Sequence, residues 1–480
     1  MIGDSLPEYI FIQLSIFFLR LVAPLSILYT LASWYSGQLL FSPWLGYYSL
    51  TEAAFYLCVY LPRNVYLQKT VERPPLLPRS EREALFTKCF SSVRDTDMAT
   101  GWFYSVPISA IKRDNMIEWL CWALFGTRRD GLLKEWEEEI EGYLAKIENF
   151  QGHKYESGWN NAVQCMKVSL DPVVSLHRPL LWYLIVAVVD TYTGLLLTFA
   201  GFRHFGNTKS LCCFPPRLAA LCSQRSPDPD IVYWYRPHRS KTKLPILFLH
   251  GIGIGLWPYC AFLNDIIAAD PDVGIIAIEN LCISMRIYEA PLTRDAMLAA
   301  ITRILDFHNV TRVVVAAHSY GTIPAAHLLR DRVLSTRIAA SLLVDPIPFL
   351  LHLPAVAYNF VYRKPRTANE LQLWYFASRD PDISRTLARH FFWSQNLLWK
   401  EDLDGRRVGV VLSGRDQVVD TRKVRKYLTG QDDLQFRWRD HTLEVLYYPD
   451  IDHAQVFDTK ERRKPMIDII SRFVKTNAHS

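Results

Sequence analysis

Apolar residues cluster strongly near the start of the chain. Residues 9–35 and 39–61 form two apolar stretches whose only charged side chains are Arg20 and Glu52. Each stretch, as a helix, is long enough to cross the roughly 30 Å hydrocarbon core of a bilayer. The pattern predicts a membrane anchor over residues 1–62, made of two transmembrane helices. A single span followed by a segment on the membrane surface is the alternative.

Charges beside these stretches predict an orientation. Residues 1–19 contain no lysine or arginine, whereas Arg63, Lys69 and Arg73 follow the second stretch. By the positive-inside rule, that end faces the cytosol. We therefore expect a multi-pass membrane protein with a cytosolic catalytic domain.

A helical region is predicted over residues 63–205. It includes a third apolar stretch, residues 180–202, with Asp190 at its centre. An aspartate at mid-membrane costs about 2.5–3.5 kcal/mol. We therefore favour a helix packed on the catalytic domain or lying in the membrane surface over a third span.

The remainder of the chain alternates between two periodicities. Residues 206–230 are rich in turn-forming residues and are interpreted as a linker. From residue 231 to 480, short runs of β-branched residues alternate with helical patterns. This alternation predicts an α/β domain with a mostly parallel sheet and helices on both faces.

One serine lies between a predicted strand and a predicted helix. In Ala-His-Ser-Tyr-Gly, small residues flank Ser319 two positions away on each side, at Ala317 and Gly321. A sharp strand-to-helix turn needs small residues there and exposes the serine hydroxyl. The motif has alanine where the usual pattern, G-x-S-x-G, has glycine.

A serine nucleophile needs a histidine base and a carboxylate that orients the histidine. Asp416 follows a later strand in VVLSGRDQVVD, and His453 follows the last strand in YYPDIDHAQVF. This is the required chain order of serine, acid and histidine. Asp345, after the preceding strand, is an alternative acid.

The sequence LFLHGIGIG predicts an oxyanion-binding loop. His250 and Gly251 end an early strand and support this loop, and a glycine-rich turn follows them. The expected donors to an oxyanion are the backbone N–H groups of Ile252 and Tyr320.

Together these motifs resemble the α/β-hydrolase superfamily, over roughly residues 231–475. The membrane-anchored layout and HGIGIGLWPY also resemble a group of membrane-anchored fungal α/β-hydrolases. The resemblance implies an α/β-hydrolase fold with an inserted lid, predicted here at residues 349–400. Serine at the turn implies acyl transfer from an ester, thioester or amide.

The aromatic-rich lid and the anchor favour a hydrophobic acyl substrate taken at a lipid bilayer. We therefore expect a carboxylesterase or lipase-like serine hydrolase. One alternative is a biosynthetic acyltransferase, thioesterase or cyclase that uses the same triad. Another is a non-catalytic binding protein with this fold.

Composition limits the other possibilities. The net charge of +6 is spread along 480 residues without a long basic run, so no nucleic-acid partner is expected. The nine cysteines follow no metal-ligand spacing. We therefore predict neither a metal nor another cofactor.

Overall fold

The computed structural model describes residues 2–92, 98–207, 209 and 212–475. Its first two helices, α1 (Leu6–Ser36) and α2 (Pro43–Phe55), pack against each other as a hairpin. Helix α1 ends where Gly37 adopts a left-handed conformation, with φ +70°. A wider helical turn, Tyr56–Tyr60, leads from α2 into α3 (Leu61–Leu67).

The helical region has a core of its own. Its helices are α4 (Arg79–Ser92), α5 (Met98–Gly101), α6 (Arg113–Phe125), α7 (Lys134–Gln151) and α8 (Leu180–Phe199). Side chains of α4, α6 and α7, among them Phe86, Leu120 and Ile140, form one buried apolar cluster. This cluster lies apart from the two clusters that cover the sheet.

Helix α8 packs on the sheet along one face. Tyr183 and Val186 belong to one sheet cluster and Leu197 to the other. Buried Asp190 accepts hydrogen bonds from Arg217 at 3.0 and 3.1 Å, and Arg286 lies 2.8 Å from it. This is the packed arrangement that the sequence favours over a third span. Within the described residues, α1 and α8 are both long and apolar enough to cross a membrane.

The α/β part contains a ten-stranded sheet. Its strands are β1 (Arg203–Gly206), β2 (Gln224–Arg225), β3 (Val232–Arg236), β4 (Ile246–Leu249), β5 (Ile275–Glu279), β6 (Val313–His318), β7 (Ile338–Val344), β8 (Arg407–Ser413), β9 (Arg437–Asp440) and β10 (Leu443–Tyr448). Its helices are α9 (Leu218–Leu221), α10 (Cys260–Ala269), α11 (Arg294–Phe307), α12 (Thr322–Arg330), α13 (Ala355–Ala357), α14 (Ala368–Leu373), α15 (Pro381–Arg389), α16 (Trp393–Asn396), α17 (Thr421–Thr429) and α18 (Lys460–Phe473).

The sheet order is β2-β1-β3-β5-β4-β6-β7-β8-β10-β9. The six strands from β5 to β10 in this order are mutually parallel, while β3 and β9 run antiparallel to their inner neighbours. The mostly parallel sheet predicted from the sequence is confirmed. The sheet begins earlier than expected, because β1 lies at the end of the predicted helical region and β2 lies in the segment interpreted as a linker. Their short, polar sequences carry no clear strand pattern.

The insertion between β7 and β8 carries α13 to α16. Its helix α14 contacts α1, and Ile12 and Ile16 pack against Leu371 of α14 and against Tyr375, which follows α14. The start of the predicted anchor is therefore part of the folded body.

Candidate active site

Ser319 occupies a sharp turn between β6 and α12. Its φ is +50°, a strained value for a residue with a side chain and the kind of strain expected of a nucleophile elbow. The turn lies tightly against the end of β4. A Cβ atom on Gly321 would lie 2.2 Å from the carbonyl oxygen of Leu249. Ala317 is buried in the sheet on the other side of the serine. Small residues therefore occupy both positions where the sequence motif requires them.

The side chains of Ser319, His453 and Asp416 form one hydrogen-bonded row. Ser319 Oγ lies 2.8 Å from His453 Nε2, and His453 Nδ1 lies 2.7 Å from Asp416 Oδ2. Because parallel strands end at one edge of a sheet, the ends of β6, β8 and β10 bring these distant residues together. The structure thus groups the three residues chosen from separate motifs. Their catalytic role stays a prediction.

The Asp416 carboxylate is fixed on both of its oxygens. Its Oδ1 accepts hydrogen bonds from the backbone N–H groups of Val418 and Val419, at 2.7 and 2.9 Å. Its side chain is fully buried. With Oδ2 accepting from Nδ1–H of His453, the imidazole keeps Nε2 free to accept a proton from serine.

Asp345 lies beside this row. Its oxygens accept hydrogen bonds from the backbone N–H groups of Ser413, at 3.0 Å, and Ala454, at 2.8 Å. It therefore links the loops that carry Asp416 and His453. Asp416, and not the alternative Asp345, makes the hydrogen bond to His453 Nδ1.

The charges around His453 favour its protonated form. Burial alone would lower the pKa of His453. The carboxylates of Asp416, Asp345 and Asp452 outweigh burial and raise that pKa to about 9. For buried His318, by contrast, burial lowers the pKa to about 4, so its ring stays neutral. An imidazolium stabilised in this way suits the charge that develops when a serine proton is transferred.

The predicted oxyanion loop passes directly beside the serine. A Cβ atom on Gly251 would lie 2.9 Å from Ser319 Cβ, so only glycine fits. His250 braces the loop, because its Nε2 accepts from the Asn280 N–H at 2.9 Å and its Nδ1 lies 2.7 Å from the Gly251 carbonyl oxygen. Ile252 lines the same cavity as Ser319 and Tyr320. The use of its N–H and that of Tyr320 as oxyanion donors stays a prediction.

Asp452, which the sequence reasoning did not select, holds the acid and base loops together. Its Oδ1 accepts from the backbone N–H groups of Gln417, at 2.9 Å, and His453, at 2.7 Å. Its Oδ2 accepts from Asn369 on α14 at 2.6 Å. The Asp-His pair in DIDHAQVF is the signal that identifies it in the sequence.

An apolar cavity leads away from Ser319. Its volume is about 210 Å³. The insertion supplies the predicted aromatic cover in part, through Phe360, Phe391, Phe392 and Trp393. Other insertion aromatics, such as Tyr375, pack against α1 instead.

The opposite wall of this cavity comes from the helical region. Its lining residues there include Pro74, Leu76, Leu85, Trp102, Trp122 and Phe125. The sequence analysis assigned no part of the site to this region. These contacts join residues more than 120 positions apart, so no local pattern predicts them.

The sheet order, the strained serine turn before α12, and the acid and base after later strands decide the fold. The chain has the α/β-hydrolase fold. The hydrolase core carries the proposed triad, and the hairpin and helical region are additions before it. The relationship to fungal proteins stays an expectation.

The chain is similar to known structures only at low identity and low TM-score in the following comparisons. Neither a scan against protein-family models nor a search of curated proteins found a match. Among solved structures, a carboxylesterase from Nitrososphaera gargenis is 14% identical, with TM-score 0.36, covering 51% of this chain and 95% of its own. A Pyrococcus furiosus esterase is 12% identical, with TM-score 0.34. The match covers 51% of this chain and 88% of the esterase. A bacterial membrane phospholipase A is 11% identical, with TM-score 0.39. The match covers 61% of this chain and 94% of the phospholipase. Because these scores are low, the fold assignment depends on the topology and the serine turn.

Proposed function

We propose that this protein is a membrane-bound serine hydrolase that cleaves a hydrophobic ester. The observation that carries the proposal is Ser319 Oγ, 2.8 Å from His453 Nε2 and lining an apolar cavity. A serine hydroxyl is a weak nucleophile unless a base accepts its proton. Here the base, the orienting carboxylate and the space for a substrate occur together.

The reaction would begin when the scissile carbonyl enters the cavity beside Ser319. Ser319 Oγ forms a bond to the carbonyl carbon, and its proton passes to His453 Nε2. The carbonyl oxygen becomes an oxyanion, stabilised by the N–H groups of Ile252 and Tyr320. Asp416 stabilises the imidazolium that results.

Collapse of this intermediate breaks the ester C–O bond. His453 gives its proton to the departing alcohol, leaving an acyl group on Ser319. Water then attacks the acyl-enzyme while His453 accepts a proton from it. A second collapse releases the carboxylic acid and returns the proton to Ser319, so each cycle consumes one ester and one water.

The cavity favours an apolar acyl group. Its walls are mostly aliphatic and aromatic, and they come from both the insertion and the helical region. Burying each methylene of a substrate chain there contributes about 0.8 kcal/mol. Long-chain esters are therefore expected to react with higher kcat/KM than acetyl esters.

Membrane attachment is supported by the apolar helices of the chain. Helix α1 carries exposed Phe11, Phe17 and Phe18, and α8 exposes Leu184 and Val188. Such large exposed apolar surfaces are uncommon on soluble proteins and mark contact with a membrane or a partner. A lipid bilayer would supply the hydrophobic ester.

A fluorophosphonate probe tests the chemistry directly. We expect covalent labelling of the wild-type protein in membranes, and none in Ser319→Ala. Ser91→Ala, at an exposed serine on α4, is the matched control and should label normally. Thermal unfolding of both variants verifies that they are folded. Equal labelling of wild type and Ser319→Ala, or a folded wild type that does not label, would contradict the proposal.

A further inference from the structure

The hairpin of α1 and α2 extends from the folded body as a short apolar projection. We infer that this hairpin enters one leaflet of the bilayer and ends within the hydrocarbon, rather than crossing to the other side. This inference depends on the proposed membrane attachment and is independent of the serine chemistry. It is an alternative to the two transmembrane helices expected from the sequence.

The first part of α1 belongs to the body. Ile12 and Ile16 are buried against Leu371 and Tyr375 of the insertion. The backbone N–H of Ile2 also donates to Gln372 Oε1 at 3.1 Å. These contacts fix the helix to the catalytic part up to about Leu19, which is partly buried on the same cluster.

The second helix returns to the body at Glu52. This side chain is fully buried, and its Oε2 accepts from the backbone N–H of Leu180 at 2.8 Å. Its Oε1 lies 2.9 Å from His177 Nε2. Glu52 therefore marks the level at which α2 meets the start of α8.

The length between these contacts and the tip limits the depth of insertion. At 1.5 Å per residue, residues 21–36 of α1 extend about 24 Å and residues 43–52 of α2 only about 15 Å. The hydrocarbon core is about 30 Å thick. Both arms are therefore too short to cross it while the body remains at the surface, and the shorter arm matches one leaflet.

The side chains of the projecting segment suit hydrocarbon. Residues 21–51 contain no Asp, Glu, Lys or Arg, and the exposed Arg20 and buried Glu52 border them. At the tip, Trp34, Tyr35, Phe41 and Trp44 are 82–93% exposed. The two helices meet through small residues instead, including buried Ser26, Ser33, Gly46, Ser49 and Ala53. Small residues at the interface are typical of helix pairs packed within lipid.

The turn also satisfies several of its own backbone groups. The hydroxyl of Tyr29 donates to the Leu40 carbonyl, and Ser36 Oγ donates to the Gln38 carbonyl at 3.3 Å. The Ser42 N–H donates to the same Leu40 carbonyl at 2.8 Å. A turn in water has no need of these bonds, but in hydrocarbon an unpaired backbone group costs several kcal/mol.

Depth-dependent fluorescence tests the inference on the full chain. Cys58, Cys212 and Cys222, the exposed cysteines of the described residues, are changed to serine. Gln38→Cys at the tip is then labelled with nitrobenzoxadiazole and reconstituted in phosphatidylcholine vesicles. We expect strong quenching by lipids with a nitroxide deep in the acyl chain, and none by iodide on both sides of the membrane. Glu135→Cys on exposed α7 is the control, quenched by iodide.

A charge at the tip gives an independent readout. Phe41→Asp should weaken vesicle binding about 100-fold, because the charge would lie inside hydrocarbon. Leu133→Asp, on the exposed start of the α7 segment, should leave binding unchanged. Iodide quenching at position 38, or unchanged binding of Phe41→Asp, would overturn single-leaflet insertion. If the wild-type chain fails to float with vesicles, the proposed membrane attachment itself is wrong, and fluorophosphonate labelling still judges the serine chemistry.

Discussion

Of the three carboxylates near His453, those of Asp416 and Asp345 should respond differently to substitution by asparagine. Asp416→Asn keeps an oxygen for the N–H groups of Val418 and Val419, so the loop should remain folded. Its amide then faces His453 Nδ1 as a donor. The imidazole must present Nδ1 as an acceptor and carry its proton on Nε2, where it cannot accept the serine proton. The same change in a serine protease triad lowers kcat by about 10⁴.

Asp345→Asn should act on stability instead. Two backbone N–H groups, those of Ser413 and Ala454, donate to its two oxygens. Asparagine offers one oxygen, so its amide N–H group would face a second donor in a fully buried site. An unsatisfied buried group of this kind costs about 1–3 kcal/mol of unfolding free energy. The Ser319–His453–Asp416 row remains intact, so most of kcat should remain.

The assay combines kcat for a long-chain p-nitrophenyl ester with thermal unfolding in the same detergent. We expect Asp416→Asn to lose activity with little change in unfolding temperature, and Asp345→Asn to unfold earlier while staying active. The assignment would be refuted if Asp345→Asn lost activity as severely as Asp416→Asn at an unchanged unfolding temperature.

Three further measurements follow from the geometry. Catalysis needs neutral His453, whose pKa is raised to about 9. The kcat/KM should therefore rise with pH through a midpoint above the usual histidine pKa of ~6.5. Asp345→Asn should lower that midpoint. A midpoint below ~6.5 in the wild type would contradict the argument that nearby carboxylates raise the pKa of His453. Gly321→Ala should lower the free energy of unfolding, measured with denaturant, by about 1–3 kcal/mol or more. Gly142→Ala, at a position on α7 with open space around it, should raise that free energy by up to ~1 kcal/mol. Equal effects of the two substitutions would argue against a tight turn at Ser319. Val356→Trp, which fills the cavity, should shift the preferred ester to shorter acyl chains, and an unchanged chain-length profile would place the acyl group elsewhere.

The sequence predicts those parts of the site that lie in short local motifs. Ser319 sits in a five-residue turn motif, and Asp416 and His453 each follow a strand whose apolar run is plain. Parallel strands bring such ends to one edge, so the order of the motifs was enough to predict their meeting. The mostly parallel sheet followed from the same runs.

The remaining parts depend on contacts between distant segments. Leu76 and Trp102 reach the cavity because the helical region folds over the hydrolase core. Asp345 accepts hydrogen bonds from the backbone N–H groups of Ser413 and Ala454, whose positions no side-chain pattern reveals. The early strand β1 is held by pairing with β3, and β2 by pairing with β1, rather than by a strong preference of their own.

Buried ion pairs hold helix α8 against the α/β part of the protein. In the sequence, Asp190 on an apolar helix does not decide whether the helix crosses a membrane or packs on the catalytic domain. In the structure it pairs with Arg217 and Arg286, and Arg217 also pairs with Glu279 at 2.7 Å. These two cations and two anions are all buried, so drawing α8 into a membrane as a separate span would remove the Asp190 ion pair of Arg286 and leave Arg217 with Glu279 alone. Removing one partner of a buried pair costs about 3–5 kcal/mol. Helix α8 is therefore packed on the α/β part, and under the proposed membrane attachment its exposed face, with Phe199 86% exposed, would lie along the membrane surface.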